Sequence, residues 1–237
     1  MTTTSTPADE DEAYAIQDRL RRRLVLDEPG PPPGRGHVTG VDVTYDDEHD
    51  VVAAAAVVLD AATLAVVEEA TAVGPVPFPY VPGLLAFREV PAVLAALDRL
   101  GADPGMLVCD GYGLAHPRRF GLACHLGVVT GLPSIGVAKS PFLFSYEQPG
   151  RERGDWTPLT APEGDVVGRA LRTRKGVKPV FVSAGHRVEL ANACAHALRL
   201  AAVHRLSETT RAADSLSRRA LREATAGRGL CAGPPDS

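Results

Sequence analysis

Three apolar segments in close succession constrain this chain more than any other feature. HVTGVDVTY begins at His37, VVAAAAVVLD at Val51 and LAVVEEATAV at Leu64, and only the turn-like clusters DDEHD and DAAT separate them. Connections this short can join only antiparallel neighbours, because a parallel return needs a dozen or more residues. The segments therefore predict a three-stranded meander.

The pattern then changes. Phe87–Leu100 places Val90, Val93, Leu94 and Leu97 on one face after Pro82-Gly83, which predicts a helix. MLVCD is a short strand that ends on a carboxylate, RRFGLACHLGVVTG reads as a helix and LPSIGVAK as a buried strand. That β-α-β alternation implies parallel pairing, so the sheet is expected to be mixed. PVFVSAG reads as a further strand and Val188–Leu200 as a helix. Between Ser140 and Lys178, Gly, Pro and charge dominate, and only VVGRALRT resembles a strand, so an exposed excursion with a hairpin is expected there. Upstream, Ile16, Leu20 and Leu24 form one stripe of a peripheral helix over Glu12–Leu26, which Pro29 and Pro31–Pro33 end. The expected organisation is a disordered acidic tail over 1–11, a single domain over 12–224 and a flexible tail over 225–237.

Composition excludes several classes. The longest apolar run, Val51–Leu59, is half of what a membrane-spanning helix needs, and no export signal precedes the domain. Cys109, Cys124, Cys194 and Cys231 stand singly, without the paired spacing of a zinc site, which fits a reducing cytoplasm. The net charge of −4 argues weakly against a polyanionic partner. Basic residues nevertheless cluster at Arg19, Arg21, Arg22 and Arg23 and again at Arg211, Arg218, Arg219 and Arg222. The ordinary reading of such clusters is a solvated helix face.

Three carboxylates occupy unusual places: Asp42 inside the first strand, Glu89 early in the first long helix, and Asp110 at the end of MLVCD. Each has apolar neighbours, and a carboxylate there loses solvation that a salt bridge or a bound cation must replace. No basic residue stands in the same strands, so a divalent metal is the sharper reading. Oxygen donors favour Mg²⁺, with Mn²⁺ a natural substitute, and such a centre suits phosphodiester hydrolysis. Lys139, just past LPSIGVAK, is placed to face a phosphate, although a solvated lysine is the commoner role for that position.

The layout, with an acid in the first strand and another ending the fourth, resembles the ribonuclease H-like fold: an α/β mixed sheet, meander plus parallel strands, flanked by helices. The short motifs are more specific. GVDVTY at 40–45, PYVPGLLAFRE at 79–89, VCDGYGLAHPRRFGLACHLG at 108–127 and GVAKS at 136–140 resemble the endonuclease V family. VSAGHRVEL at 182–190 and ETTRAADSLSR at 208–218 extend the resemblance across residues 12–222. It implies a metal centre of Asp42 and Asp110 assisted by Glu89, with Asp214 and His116 close by and Lys139 facing the phosphate. It also implies a base pocket of Gly83, Leu85, Gly111, Leu122 and Gly136, a target of deoxyinosine-containing DNA or inosine-containing RNA, and a monomer. The implied cut falls at the second phosphodiester 3′ to the lesion and leaves 3′-hydroxyl and 5′-phosphate ends.

Within that frame, Pro79 and Pro82 stiffen a loop presenting Tyr80, an aromatic suited to fill the gap left by an extruded base. The alternative is a tyrosine packed over a loop edge. Tyr112 stands where the motif leads one to expect His, Asn or Gln, a departure that bears on substrate preference and not on the metal ligands. Two rival functions remain at this level: a non-catalytic inosine-binding module, and a ribonuclease H-like nuclease with no lesion preference.

Overall fold

The computed structural model describes residues 6–226. The meander forms as the short connections require: β1 (His37–Asp46), β2 (Val51–Asp60) and β3 (Val66–Pro75) pair antiparallel in sequence order. After α2 (Leu85–Leu97), β4 (Met106–Cys109) lies parallel to β1 on its free side. α3 (Leu122–Thr130) then returns the chain to β5 (Ser134–Ala138), parallel to β4. This is the mixed, helix-flanked ribonuclease H-like sheet expected from the sequence.

The sheet does not end there. β6 (Ser145–Tyr146), β7 (Trp156–Thr160) and β8 (Val166–Leu171) join through β9 (Val180–His186), giving nine strands in the order β3-β2-β1-β4-β5-β9-β8-β7-β6. The hairpin expected over 140–178 forms as β7 and β8, with VVGRALRT supplying β8, but the exposed excursion is corrected: these strands and β6 extend the main sheet. Its Gly, Pro and charged residues conceal a small apolar core of Phe144, Leu159, Ala161, Val167, Ala170 and Phe181. Arg172 supports it, buried with its guanidinium donating to the carbonyls of Pro149, Gly150 and Val177.

Helices cover both faces. α1 (Glu10–Arg21), α2 and α3 share one core with the sheet, while α4 (Leu190–Leu200) and α5 (Glu208–Ala226) share a second on the opposite face. The alanine run Ala53–Ala56 in β2 is fully buried between α2 and α5, where small side chains let both helices approach. α1 starts at Glu10, two residues before its expected start, because Asp9 caps it by accepting from the Glu12 N–H at 2.8 Å. It ends at Arg21 and not at Leu26. Neither is it peripheral: Gln17 is buried and its amide donates to the carbonyls of Phe120 (3.1 Å) and Gly83 (3.3 Å). Of the expected acidic tail, residues 9–11 therefore belong to the cap and first turn of a helix, while 1–5 lie outside the described residues. The remainder of the expected C-terminal tail beyond Ala226 also lies outside them, as does Cys231. Cys109, Cys124 and Cys194 are free, buried thiols, and burial pushes that of Cys124 up to about 12. Among the described residues, no helix is long and apolar enough to cross a membrane.

One contact sets the position of α5. Gly40 of β1 lies so close to it that an added Cβ would stand 2.3 Å from the carbonyl oxygen of Thr209. Backbone cannot yield as a side-chain tip can, so Gly40→Ala must displace the helix or the strand. The variant should lose about 1–3 kcal/mol of stability by overpacking, read from urea unfolding. Wild-type stability in that variant would show the contact to be slack.

Candidate active site

The β1–β4 register assembles the centre. Val41 pairs with Cys109 across the two parallel strands, so Asp42 and Asp110, each one residue further on, leave neighbouring strands side by side at the same end of the sheet. Glu89, in the second turn of α2, completes a hollow of about 20 Å³ that Asp42, Asp110, Val41, Val43, Val93 and Leu122 also line. A space of that size admits one water-sized occupant.

The hollow is strongly unfavourable for bare negative charge. Burial, then the neighbouring Asp110 and Asp214 charges, push the Asp42 carboxyl up to about 7, although Ser217 and Lys139 oppose the rise. Glu89 is only 8% exposed, and burial followed by the Asp42 charge pushes it up to about 8. Tyr45 directs its hydroxyl at Glu89 Oε1 over a long 3.5 Å, and Arg88 lies over the Tyr45 ring at 4.4 Å from its centroid. Ser217 of α5 donates to Asp42 Oδ2 at 3.1 Å and shares a 2.7 Å hydrogen bond with Thr44. Lys139 Nζ contacts Asp110 Oδ2 at 2.5 Å. Burial alone would lower the lysine, but the Asp110 contact and the Asp42 and Asp214 charges outweigh it and raise it above its ordinary value.

This donor set fits a hard divalent cation. All the ligating atoms are oxygens, and the carboxylates are held where they repel one another, a cost that a cation removes. Among the described residues, no three His, Cys, Asp or Glu side chains close into a ready-made cage.

Beside the hollow, and sharing Glu89, Asp110 and Leu122 with it, opens a cavity of about 290 Å³. Tyr80, Gly83, Leu85, Gly111 and Leu122 line it, together with Lys139. Tyr80 is 68% exposed and stands free of the loop edge. Gly83 has a left-handed φ of +86° and carries the turn between Tyr80 and α2, a conformation that favours glycine.

The structure departs from one expected placement and refines two, since His116 and Asp214, expected close to the acidic centre, are near it without lining the hollow. Gly136 does not line the cavity. It lies buried in β5, where an added Cβ would meet the Gly111 carbonyl and the Gly113 N–H at 2.6 Å, so its role is to let the 111–113 loop rest on the strand. His116 belongs to the cavity wall and not to the carboxylate hollow. Burial holds its imidazole down at about 4, and Nδ1 accepts from the Arg118 N–H at 3.2 Å, which makes it neutral at physiological pH. Asp214 does not line the hollow either. It pairs with Arg218 at 3.0 Å on α5, and its charge reaches Asp42 from there. Sequence reasoning missed Ser217, one turn beyond Asp214 in the same motif, and also Ser140 and Phe142, which line the cavity.

An acidic hollow between neighbouring strands of a ribonuclease H-like sheet, with an apolar cavity alongside, is the arrangement of a nuclease of that fold. The sequence pattern of the Endonuclease V family matches residues 18–215. A protein named endonuclease V from Streptomyces avermitilis is 73% identical over 220 residues, which cover 93% of this chain and 96% of the relative. A crystal structure of endonuclease V from Streptomyces avermitilis superposes with a TM-score of 0.91 at 72% identity, covering 93% of this chain and 96% of that one. A structure of Ciona intestinalis endonuclease V, in complex with a 24mer DNA containing an inosine followed by a ribo-adenosine, matches with a TM-score of 0.78 at 26% identity. It covers 90% of this chain and 98% of that one. The chain belongs to the endonuclease V family.

The raised carboxyls give a pH prediction. An acid whose folded pKa lies above its unfolded value adds stability at low pH, and that contribution is lost as pH rises through the folded value. Metal-free protein should therefore lose stability between about pH 4 and pH 8, the window set by Asp42 near 7 and Glu89 near 8. Asp42→Asn removes one of those charges. In chelator it should melt above wild type at pH 9, with the gap narrowing as pH falls towards 4, and a pH-independent difference would refute the like-charge account.

Proposed function

We propose that this chain hydrolyses a phosphodiester bond in DNA near deoxyinosine, the product of adenine deamination. The observation that carries the reading is the adjacency of the two compartments: an apolar cavity with an exposed aromatic at its mouth runs directly onto a carboxylate hollow, and the two share walls. Asp42 and Asp110 would hold Mg²⁺, or Mn²⁺ in its place, with Glu89 assisting. Bound there, the cation would supply Lewis-acid stabilisation of the scissile phosphate and a more acidic attacking water.

The side chains divide the remaining work. Tyr80 fills the gap in the duplex when the lesion base is extruded, and a mismatched base costs the least to unstack. Gly83, Leu85, Gly111 and Leu122 receive the base, whose O6 acceptor and N1–H donor distinguish hypoxanthine from adenine at the main-chain groups that the glycines expose. Lys139, held protonated by Asp110, faces the phosphate and offsets its charge. Glu89 orients the water and can take its proton. Recognition and chemistry occupy adjoining compartments, and by resemblance to the family the cut is expected at the second phosphodiester 3′ to the lesion, leaving 3′-hydroxyl and 5′-phosphate ends without base removal. These walls read the base and not the sugar, so inosine in RNA fits the same pocket. We propose that the chain acts as a monomer in the cytoplasm, a reducing compartment that suits the free cysteines among the described residues.

Single-turnover cleavage of an end-labelled duplex carrying one deoxyinosine, beside an undamaged control, tests this. Mg²⁺ should give one nick in the lesion strand and chelator none. Asp42→Ala and Asp110→Ala should lower the rate on the order of a thousandfold, since several kcal/mol of transition-state stabilisation are lost, while preference for the lesion in binding persists. Cutting of both duplexes would identify a general nuclease, and binding without cutting a non-catalytic reader.

A further inference from the structure

The outer wall of the cavity is built from residues that none of the foregoing uses. Directly after Lys139, Pro141–Phe144 forms a tight turn in which the Phe144 N–H donates to the Pro141 carbonyl at 3.2 Å. Phe142, inside the turn, has φ +56°, the left-handed region where a bulky residue is strained and glycine is usual. Strain of this kind persists only where the surroundings impose it. Here they do so from both ends. Phe144 is buried in the small core under β6–β8, and at the other end the Tyr112 hydroxyl bonds to Ser140 Oγ at 2.9 Å and donates to the Ser140 carbonyl at 3.3 Å.

The consequence is an aromatic wall. The Phe142 ring lies 5.1 Å from that of Tyr112, and it is within 9° of parallel to that of His116 at a centroid distance of 6.2 Å. Tyr112, His116, Ser140 and Phe142 all line the same cavity as Tyr80, and Phe142 keeps 40% of its surface exposed. A flat ring held at a cavity mouth presents a face on which a planar base can stack.

We propose that Tyr112 is a positioning residue which, through Ser140, holds Phe142 as a stacking wall of the cavity, so that this chain grips an extruded purine by its face as well as by its edge. The proposal rests on the inosine reading and deepens it. It also gives a physical role to the tyrosine in DGYG, where the family motif leads one to expect a smaller polar side chain. A shorter residue there would not reach Ser140 in the same way, and Phe142 would lose one of its two anchors.

Three variants separate the parts. Tyr112→Phe removes both tether contacts, whereas Ser140→Ala removes the one to Oγ and leaves the Tyr112 hydroxyl bonded to the Ser140 carbonyl; both keep the fold's apolar packing. Phe142→Gly removes the ring and also relieves the left-handed strain, so it should fold at least as stably as wild type by thermal melting. Binding is measured on deoxyinosine and undamaged duplexes with Ca²⁺ in place of Mg²⁺, and hydrogen exchange follows the 140–144 amides in the free protein. Loss of the tether should weaken lesion binding about fivefold in Tyr112→Phe and by less in Ser140→Ala, with the double variant no weaker than Tyr112→Phe. Loss of one stacking face should weaken it about tenfold in Phe142→Gly. The losses should fall on the lesion duplex, appear in KM and not in kcat, and coincide with faster exchange at 140–144 in the tether variants.

Unchanged exchange in Tyr112→Phe would overturn the tether, and equal losses on both duplexes would overturn the stacking role. Wild-type protein that binds both duplexes alike would instead refute the inosine reading, and hydrogen exchange would still decide the tether.

Discussion

Repulsion between buried carboxylates is the constraint on which the rest of this structure turns. The β1–β4 register puts Asp42 and Asp110 side by side, and α2 adds Glu89 to the same hollow. Left alone, such a cluster favours protonation or separation, as the upward displacement of Asp42 and Glu89 shows. The scaffold resists separation. Asp42 stands in a strand paired on both sides, Ser217 and Lys139 supply the partial compensation, and Gly40 lets α5 approach closely enough for Ser217 to reach. The protein thereby keeps three acids together where protonation or a bound cation would relieve their repulsion.

The same elements set the neighbouring cavity. Its floor and the hollow share Leu122, at the start of α3, and its glycine loop is fixed from behind by Gln17 of α1. A helix that sequence periodicity made peripheral thus tethers the loop bearing Gly83. The strands beyond β9, which the sequence disguised as an excursion, supply the core that anchors Phe144 and with it the turn carrying Phe142. Both additions lie outside the five-stranded unit, and both shape the cavity and not the carboxylate hollow. Specificity elements can therefore vary while the acidic centre stays fixed by the central strands.

The difference in what could be foreseen has a physical cause. Asp42, Glu89 and Asp110 were visible because a carboxylate among apolar residues in a strand or helix contradicts its surroundings, and that contradiction is written locally. Tyr80 was visible because prolines flank it. Gly136 was misplaced because a glycine needed for close packing and a glycine needed for ligand approach look alike in sequence, and only the 2.6 Å approach of the 111–113 backbone tells them apart. His116 and Asp214 were expected close to the acidic centre; the structure refines this, with His116 in the cavity wall beside the Phe142 ring and Asp214 held at one remove by Arg218.

By itself the sequence determined the elements and their periodicity: the meander from its short turns, the parallel strands from the helices between them, and the three acids from their apolar settings. Those are properties of residues near one another along the chain, where backbone geometry and solvation act directly. Only the tertiary structure decided that β6–β8 continue the sheet, that Ser217 reaches Asp42 across 175 positions, and that Tyr112 ties down Ser140. Such contacts depend on how whole elements dock, and docking is set by the summed packing of many side chains, which no local pattern encodes.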